Sequence, residues 1–341
     1  MVNVGIKDVA DHAGVSLATI TRVVNNRGYV SAKTRERVQK SIKSLGYIPN
    51  RMASALKNKR TGIIGNVVAL STLNTFFSYI SVSLKDAALR YNYQILPVYS
   101  DQNRQREERL IHELIGRMAE GIIFTSAIHF HPNVIKEVLN AGIPVIMIER
   151  TRNISGVDKV LVDDYTGSSL VAARFLEMGH KTIAFIGKDI KTSPVEYNRF
   201  YGFKQTLKKS NVTLYEKNVE FVTEYEVEYG YDAMKRIMER GGKNRPSACF
   251  LTSDLMVCGA LQYLYNARLN VPGDMSLIGY DNTLSMLCSP AITSIAIPYE
   301  EIGNTALSMF WERREQNRGF DKTILLSPFL KERGSVRDLR K

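Results

Sequence analysis

Three ionisable residues stand where strands of a sheet would end, and one arginine stands apart from them. Glu149 and Arg150 follow the apolar run 144–148, Asp281 follows the run 277–280, and Arg199 stands three residues before Gly202. Acids and arginines that converge at strand ends can form paired hydrogen bonds to neighbouring hydroxyls. The plain alternatives are a solvated Glu149 and an Asp281 that only caps a turn. Catalytic signatures are missing from the sequence. No G-x-G-x-x-G, G-x-x-x-x-G-K-S/T or G-x-S-x-G pattern occurs. His129-Phe130-His131 hints at a metal, but Pro132 follows and no Cys or His cluster answers it. These features predict a binding protein without cofactor or metal, and not an enzyme.

A second concentration of chemistry is electrostatic. The chain carries 46 Lys+Arg against 34 Asp+Glu, a net charge of +12. Residues 1–60 hold twelve of the bases and only three of the acids, a net +9. Such a basic head suits a polyanion, because counterions displaced from phosphates drive sequence-independent attraction. A solvated charged face is the competing reading.

These groups need elements to position them. The chain has 341 residues, 44% hydrophobic and 23% charged, which suits two or three globular domains. No run of about 18 apolar residues would cross a membrane. Residues 1–8 lack the basic-then-apolar pattern of a secretory signal, so the expected compartment is the cytoplasm. Three cysteines, Cys249, Cys258 and Cys288, are too few and too scattered for a disulfide framework or a zinc site. In the head, Ile6, Val9, Ala10 and Ala13 recur at helical spacing up to Gly14. Ser16 caps a second helix with Ile20, Val23 and Val24 on its apolar stripe, and Ser31 caps a third that stops at Gly46. That is a helix-turn-helix outline. Residues 50–58 could form about two helical turns, too few to be stable alone, and a polar linker follows. After Gly62, strand-length apolar runs fall at 63–69, 94–98, 121–124, 144–148, 159–162, 182–186, 220–222, 248–251, 277–280 and 292–295. They alternate with helical segments such as 103–118, 165–178, 254–267 and 299–313. The alternation predicts an α/β core of two doubly wound parallel lobes, with a cleft at the carboxyl ends of their strands.

The runs Ile6-Lys7-Asp8-Val9-Ala10, Ala13-Gly14-Val15-Ser16 and Thr19-Ile20-Thr21-Arg22-Val23-Val24-Asn25 resemble the lactose/galactose repressor family of bacteria. So do Val30-Ser31, Thr34-Arg35-Glu36-Arg37-Val38 and Leu45-Gly46-Tyr47-Ile48-Pro49-Asn50. The likeness is dense over residues 5–56 and looser to about 330. There Gly179-His180, Arg199-Phe200-Tyr201-Gly202-Phe203, Ser253-Asp254, Gly259-Ala260 and Gly279-Tyr280-Asp281 fall on the family's core motifs. The family consists of dimeric, ligand-controlled transcription regulators whose core is like a periplasmic binding protein. The resemblance therefore implies a helix-turn-helix DNA-binding domain over 1–49, a hinge helix and linker over 50–61, and a ligand-binding and dimerisation core over 62–341. Lobe 1 would take about 62–161 and 297–320, and lobe 2 about 162–296 and 321–330. The implied partners are operator double-stranded DNA, a small-molecule effector and a second copy of the chain, with no membrane.

Within that likeness, Leu17, Ala18, Thr21 and Arg22 lie off the apolar stripe and would face the major groove. Arg22 can donate two parallel bonds to guanine, worth about 1–3 kcal/mol of discrimination. Leu17 and Ala18 can read only shape or thymine methyls. Thr19, Asn25, Ser31 and Thr34 match phosphate-holding positions, which set register. Ordinary helix surface and caps are the alternative roles. Asn50, Ala53 and Leu56 belong to the implied hinge helix, which would pack against its copy in the minor groove with Leu56 as a wedge between base pairs. A buried linker residue is the other reading of Leu56. In the core, Asn74, Phe76 and Phe77 resemble the sugar-binding loop, with Thr75 in place of a proline. Glu149, Arg150, Arg199, Tyr225, Ser253 and Asp281 complete the implied ligand set, Tyr225 matching a ring-stacking aromatic. Ser253 and Ile297 stand where the family often has Asn and Gln, which points to a smaller or less hydroxylated ligand. The resemblance thus implies a repressor of a carbohydrate-utilisation operon, controlled by a sugar or sugar derivative. A purine-responsive repressor is the alternative, since Phe76 and Tyr225 can also stack a base. An enzyme and a non-specific nucleoid binder are the remoter ones.

Overall fold

Side chains beside the backbone set the helix ends of the first compact unit, Met1–Thr61, in the computed structural model. The structure describes residues 4–24, 28–47, 60–69, 75–125, 132–149, 154–191, 193–242 and 245–341. At the start of α1 (Ile6–Ala13), the Asp8 carboxylate accepts the Gly5 N–H at 2.7 Å. Gly14, at φ 61°, ends it in a left-handed conformation that glycine adopts without a Cβ clash. α2 (Leu17–Val24) follows after the turn. α3 (Ala32–Leu45) starts from Ser31, whose Oγ accepts the Thr34 N–H, and ends at Gly46. Val9, Ala10, Ala13, Ile20, Val23 and Val38 meet in one small core. His12 Nδ1 lies 3.0 Å from Ser41 Oγ and ties α1 to α3. The three helices, and the stops at Gly14 and Gly46, are those the sequence predicts.

The second unit, Gly62–Lys341, holds two six-stranded sheets. Lobe 1 is built from β1 (Ile63–Val68), α4 (Thr75–Arg90), β2 (Gln94–Tyr99), α5 (Arg104–Gly116), β3 (Gly121–Thr125), α6 (Pro132–Asn140), β4 (Val145–Ile148) and β5 (Val157–Val162). The chain then crosses to lobe 2 for α7 (Asp164–Glu177), β6 (Ile183–Lys188), α8 (Pro194–Lys209), β7 (Val219–Val222), α9 (Val227–Gly241), β8 (Ala248–Leu251), α10 (Asp254–Asn266), β9 (Ser276–Asp281) and β10 (Thr293–Ala296). It returns for α11 (Tyr299–Glu315) and β11 (Thr323–Leu326), and crosses again for β12 (Phe329–Lys331). The sheet orders are β11-β5-β4-β3-β1-β2 and β12-β10-β9-β8-β6-β7. All pairings are parallel except β10 with β12.

Each apolar run read as a strand is one, within two residues at either end. β11 and β12 are additional. Because β11 pairs with β5, residues 321–326 belong to lobe 1, and the last crossing falls between Leu326 and Phe329 rather than at 320–321. The core of the two sheets buries Phe124, Phe175, Phe185, Phe203, Phe250, Tyr280 and Phe310 almost completely, each worth about 1.5–3 kcal/mol. α9 and α10 approach closely: a Cβ on Gly259 would stand 1.8 Å from the Val227 carbonyl oxygen, and one on Gly230 2.1 Å from that of Met256. That contact seats the first turn of α10 at the carboxyl end of β8. The tail is irregular and bound to lobe 2, with Ser335 Oγ donating to Leu277 O at 2.6 Å and the Leu339 N–H to Met178 O at 2.8 Å. Among the described residues, no helix is long and apolar enough to cross a membrane.

Candidate functional site

On α2, Ile20 and Val23 turn into the head's core, while Leu17, Ala18, Thr21 and Arg22 are exposed. The outward face is therefore the one the apolar stripe predicts. Hydroxyl directions refine the roles. Thr21 Oγ1 donates to Leu17 O at 2.9 Å, so its proton is committed and only lone pairs face out. It can accept from a base amino group but cannot donate to a phosphate in this rotamer. Ser31 Oγ donates to Thr34 Oγ1 at 2.9 Å and accepts the Thr34 N–H, which leaves the Thr34 hydroxyl proton to donate outward. Thr19 Oγ1 lies 3.0 Å from Ser16 Oγ at the helix start. Tyr29, 91% exposed in the segment between α2 and α3, was not singled out from the sequence; its place after Gly28 between two helices was the available signal. Asn25, Asn50, Ala53 and Leu56 lie outside the described residues.

In the core, the centre of the second site is Arg199, on the second turn of α8 and 5% exposed. Its Nε donates to Asp164 Oδ1 at 2.8 Å, and its Nη1 donates to Thr252 O at 2.8 Å and to Glu196 Oε1 at 3.4 Å. Nη2 faces Asp281 Oδ1 at 4.0 Å. The guanidinium plane lies over the Tyr280 ring, 3.9 Å from its centroid. Burial disfavours the cation, but Asp164 and the groups around it keep Arg199 charged. Glu196 is fully buried and accepts from Lys188 N, Thr252 Oγ1 and Tyr225 OH at 2.7–2.9 Å.

The acids outnumber the cation they share. Burial pushes the Asp281 carboxyl up to about 7, against the pull of Arg199 and with help from Asp254 and Asp164. Burial and the neighbouring Asp164 push Glu149 up to about 8. Asp281 sits at φ 92° and Glu149 at φ 58°, each at a strand end where the chain turns away. Glu149 Oε1 accepts the Val162 N–H at 2.7 Å. Its carboxyl is thereby fixed beside the lobe crossing and does not hang in solvent.

Two contacts cross from lobe to lobe beside this cluster. Thr75 Oγ1 donates to Thr283 Oγ1 at 2.7 Å, and Tyr299 OH donates to Asp281 O at 3.3 Å. Phe76 packs edge-on against Tyr299, with ring centroids 5.9 Å apart, and against Phe77. Of the residues expected to bind ligand, the structure gathers Glu149, Arg199, Tyr225 and Asp281, with Phe76 joined to Asp281 through Tyr299. Phe77 is buried beneath Phe76. Ser253 is buried and caps α10, its Oγ accepting the Leu255 N–H at 3.3 Å. Asn74 and Arg150 lie outside the described residues, as do His129 and His131. Asp164, Glu196, Thr252, Tyr280 and Tyr299 were not foreseen. Glu196 is three residues before Arg199, one helical turn away, which was the one local hint. No group of three or more His, Cys, Asp or Glu among the described residues could hold a metal ion.

Comparison with known proteins agrees with both halves of this geometry. The family model for bacterial regulatory proteins of the lacI family matches residues 5–50, and that for the periplasmic binding protein-like domain matches residues 172–336. The transcriptional regulator DegA of Bacillus subtilis is 32% identical, over 98% of this chain and 98% of DegA. Catabolite control protein A of Priestia megaterium is 31% identical, over 90% of this chain and 91% of its own. The solved complex of the regulator CelR with cellobiose superposes with a TM-score of 0.72 at 27% identity, covering 97% of this chain and 99% of CelR. With an exposed α2 face on a basic head, a two-lobed core and relatives matched nearly end to end, the chain belongs to the lacI family of bacterial regulatory proteins.

Proposed function

We propose that this protein is a homodimeric, sequence-specific DNA-binding repressor of a carbohydrate-utilisation operon, working in the cytoplasm and controlled by a sugar or sugar derivative held between its lobes. The carrying observation is the buried Arg199, with Asp164, Glu196 and Asp281 around it, set beside the contacts Thr75–Thr283 and Tyr299–Asp281. Carboxylates and one guanidinium offer the paired acceptors and donors that vicinal hydroxyls need, and Tyr225 and Phe76 offer apolar faces. The cellobiose bound by CelR is a precedent for this chemistry in a relative. A catalysed reaction has no support in the roles these side chains already fill as mutual hydrogen-bond partners.

In this reading, the head uses Arg22 with Leu17, Ala18 and Thr21 on base edges, and Thr19, Asn25 and Thr34 on phosphates, with Ser31 acting through the Thr34 hydroxyl that it orients. Asn50, Ala53 and Leu56 work in the hinge, and Asn74, Phe77, Arg150 and Ser253 support the ligand set around Arg199. A ligand that favours one degree of lobe closure shifts the equilibrium between operator-competent and incompetent dimers; one that binds both equally shifts nothing. A thermal-shift screen of sugars, sugar phosphates and purines tests the ligand class. A ligand at 100 times its Kd adds about 2.7 kcal/mol of stability. The expected result is a rise in Tm with a sugar and none with a purine. A rise with hypoxanthine or guanine alone would replace the sugar with a base.

A further inference from the structure

Two of the three cysteines, distant in sequence, meet in lobe 2. Cys258 stands on α10, one turn after Asp254, and Cys288 stands on the loop between β9 and β10. Their sulfurs are 4.0 Å apart, and both residues are half-buried rather than sealed in the core. The loop is anchored to α10 at a second point. Asp254 Oδ2 accepts the N–H groups of Thr283, Leu284 and Ser285 at 2.7–3.1 Å. Cys288 Sγ is itself close to Leu284 O, at 3.6 Å. The pair therefore lies on a fixed face, and the sulfurs must close from 4.0 Å to the roughly 2.05 Å of a disulfide. Cys249, on β8, is fully buried and has no thiol near it at such a distance among the described residues.

We propose that Cys258 and Cys288 form a reversible oxidation site, converted by a hydroperoxide into an intramolecular disulfide. The two thiols have unequal roles. The hydrogen bond with Cys288 favours the Cys258 thiolate, against burial and the nearby Asp254, while the same hydrogen bond, burial and Asp254 all hold the proton on Cys288. Arg333 is the cation facing Cys288. The Cys258 thiolate attacks the terminal peroxide oxygen, the O–O bond breaks, hydroxide leaves from hydrogen peroxide (alkoxide from an organic hydroperoxide) and a sulfenic acid forms. Cys288 sulfur then attacks Cys258 sulfur. The S–O bond breaks, and the departing hydroxide takes the Cys288 proton and leaves as water. Two electrons pass from the thiols to the peroxide, and a dithiol reverses the bond. The product clamps the loop that carries Thr283, the lobe 2 partner of Thr75 across the cleft. Oxidation thus acts on the segment beside the Arg199 cluster, although the bond itself needs no effector.

The test uses the full-length dimer and hydrogen peroxide. Free thiols are alkylated after acid quenching and unfolding, then counted and located by mass spectrometry. The expected result is a fall from three free thiols to one, on Cys249, with a Cys258–Cys288 cross-linked peptide lighter by two hydrogens and restored by dithiothreitol. Cys288→Ser would trap a dimedone-reactive sulfenic acid on Cys258 without a disulfide. Three thiols surviving peroxide, or a disulfide that joins two subunits, would overturn the proposal; both are read on the unsubstituted protein, so the variant's folding does not decide the outcome.

Discussion

The proposed roles of Arg22 in reading sequence and of Asp281 in reading ligand each have a separable signature. Arg22 is exposed on α2 and makes no contact that α2 needs for its packing. Arg22→Ala should therefore leave stability intact and cost about 1–3 kcal/mol of operator discrimination, measured as the ratio of operator to random-DNA affinity at fixed salt; an unchanged ratio would remove it from base contact. Asp281 is held protonated up to about 7, against an ordinary 3.8. The folded protein grips that proton more tightly than the unfolded chain, so this group makes stability fall as pH rises from about 4 to about 7, with no further loss above. Asp281→Asn should remove that slope and gain in Tm relative to the parent between pH 5 and pH 8. A Tm difference that ignores pH would contradict the burial of that charge. Glu149 and Asp281 were legible as single residues at strand ends, and Arg199 as a residue three before Gly202. Their partners Asp164 and Glu196 were not, because a helix start after β5 and a helix turn after β6 meet only once α7 and α8 pack against each other.

At the scale of elements, α10 and the loop after β9 act as one piece. The Asp254 carboxylate takes three backbone N–H groups and the Ser294 hydroxyl, and is 1% exposed. Asp254→Ala leaves those donors buried and unpaired, at about 1–3 kcal/mol each before relaxation. A loss of several kcal/mol in denaturant unfolding is the expected outcome, and a loss below about 1 kcal/mol would mean water replaces the carboxylate. Strands with continuous apolar runs, such as β3, β4 and β8, were plain in the sequence because both faces are buried. β11 and β12 were not. They are four and three residues long, sit at sheet edges, and leave Leu325 and Phe329 more than half exposed, so no buried pattern marks them. The Cys258–Cys288 proximity was illegible for the same kind of reason, since it depends on how one loop folds back over α10.

For the whole molecule, a basic head reads DNA and a two-lobed core reads a metabolite, and the useful property is the link between them. The implied minor-groove wedge gives one check: Leu56→Ala should lower operator affinity and reduce bending in a gel-based bend assay, and equal bending by both proteins would exclude it. The central claim is that occupancy at the Arg199 cluster governs operator affinity. Operator Kd by fluorescence anisotropy, at fixed salt, with and without a saturating sugar identified by the thermal screen, addresses it directly. The prediction is a change of about 5- to 150-fold in the parent protein, lost in Asp281→Asn; an operator Kd that is the same with and without the sugar would contradict the account.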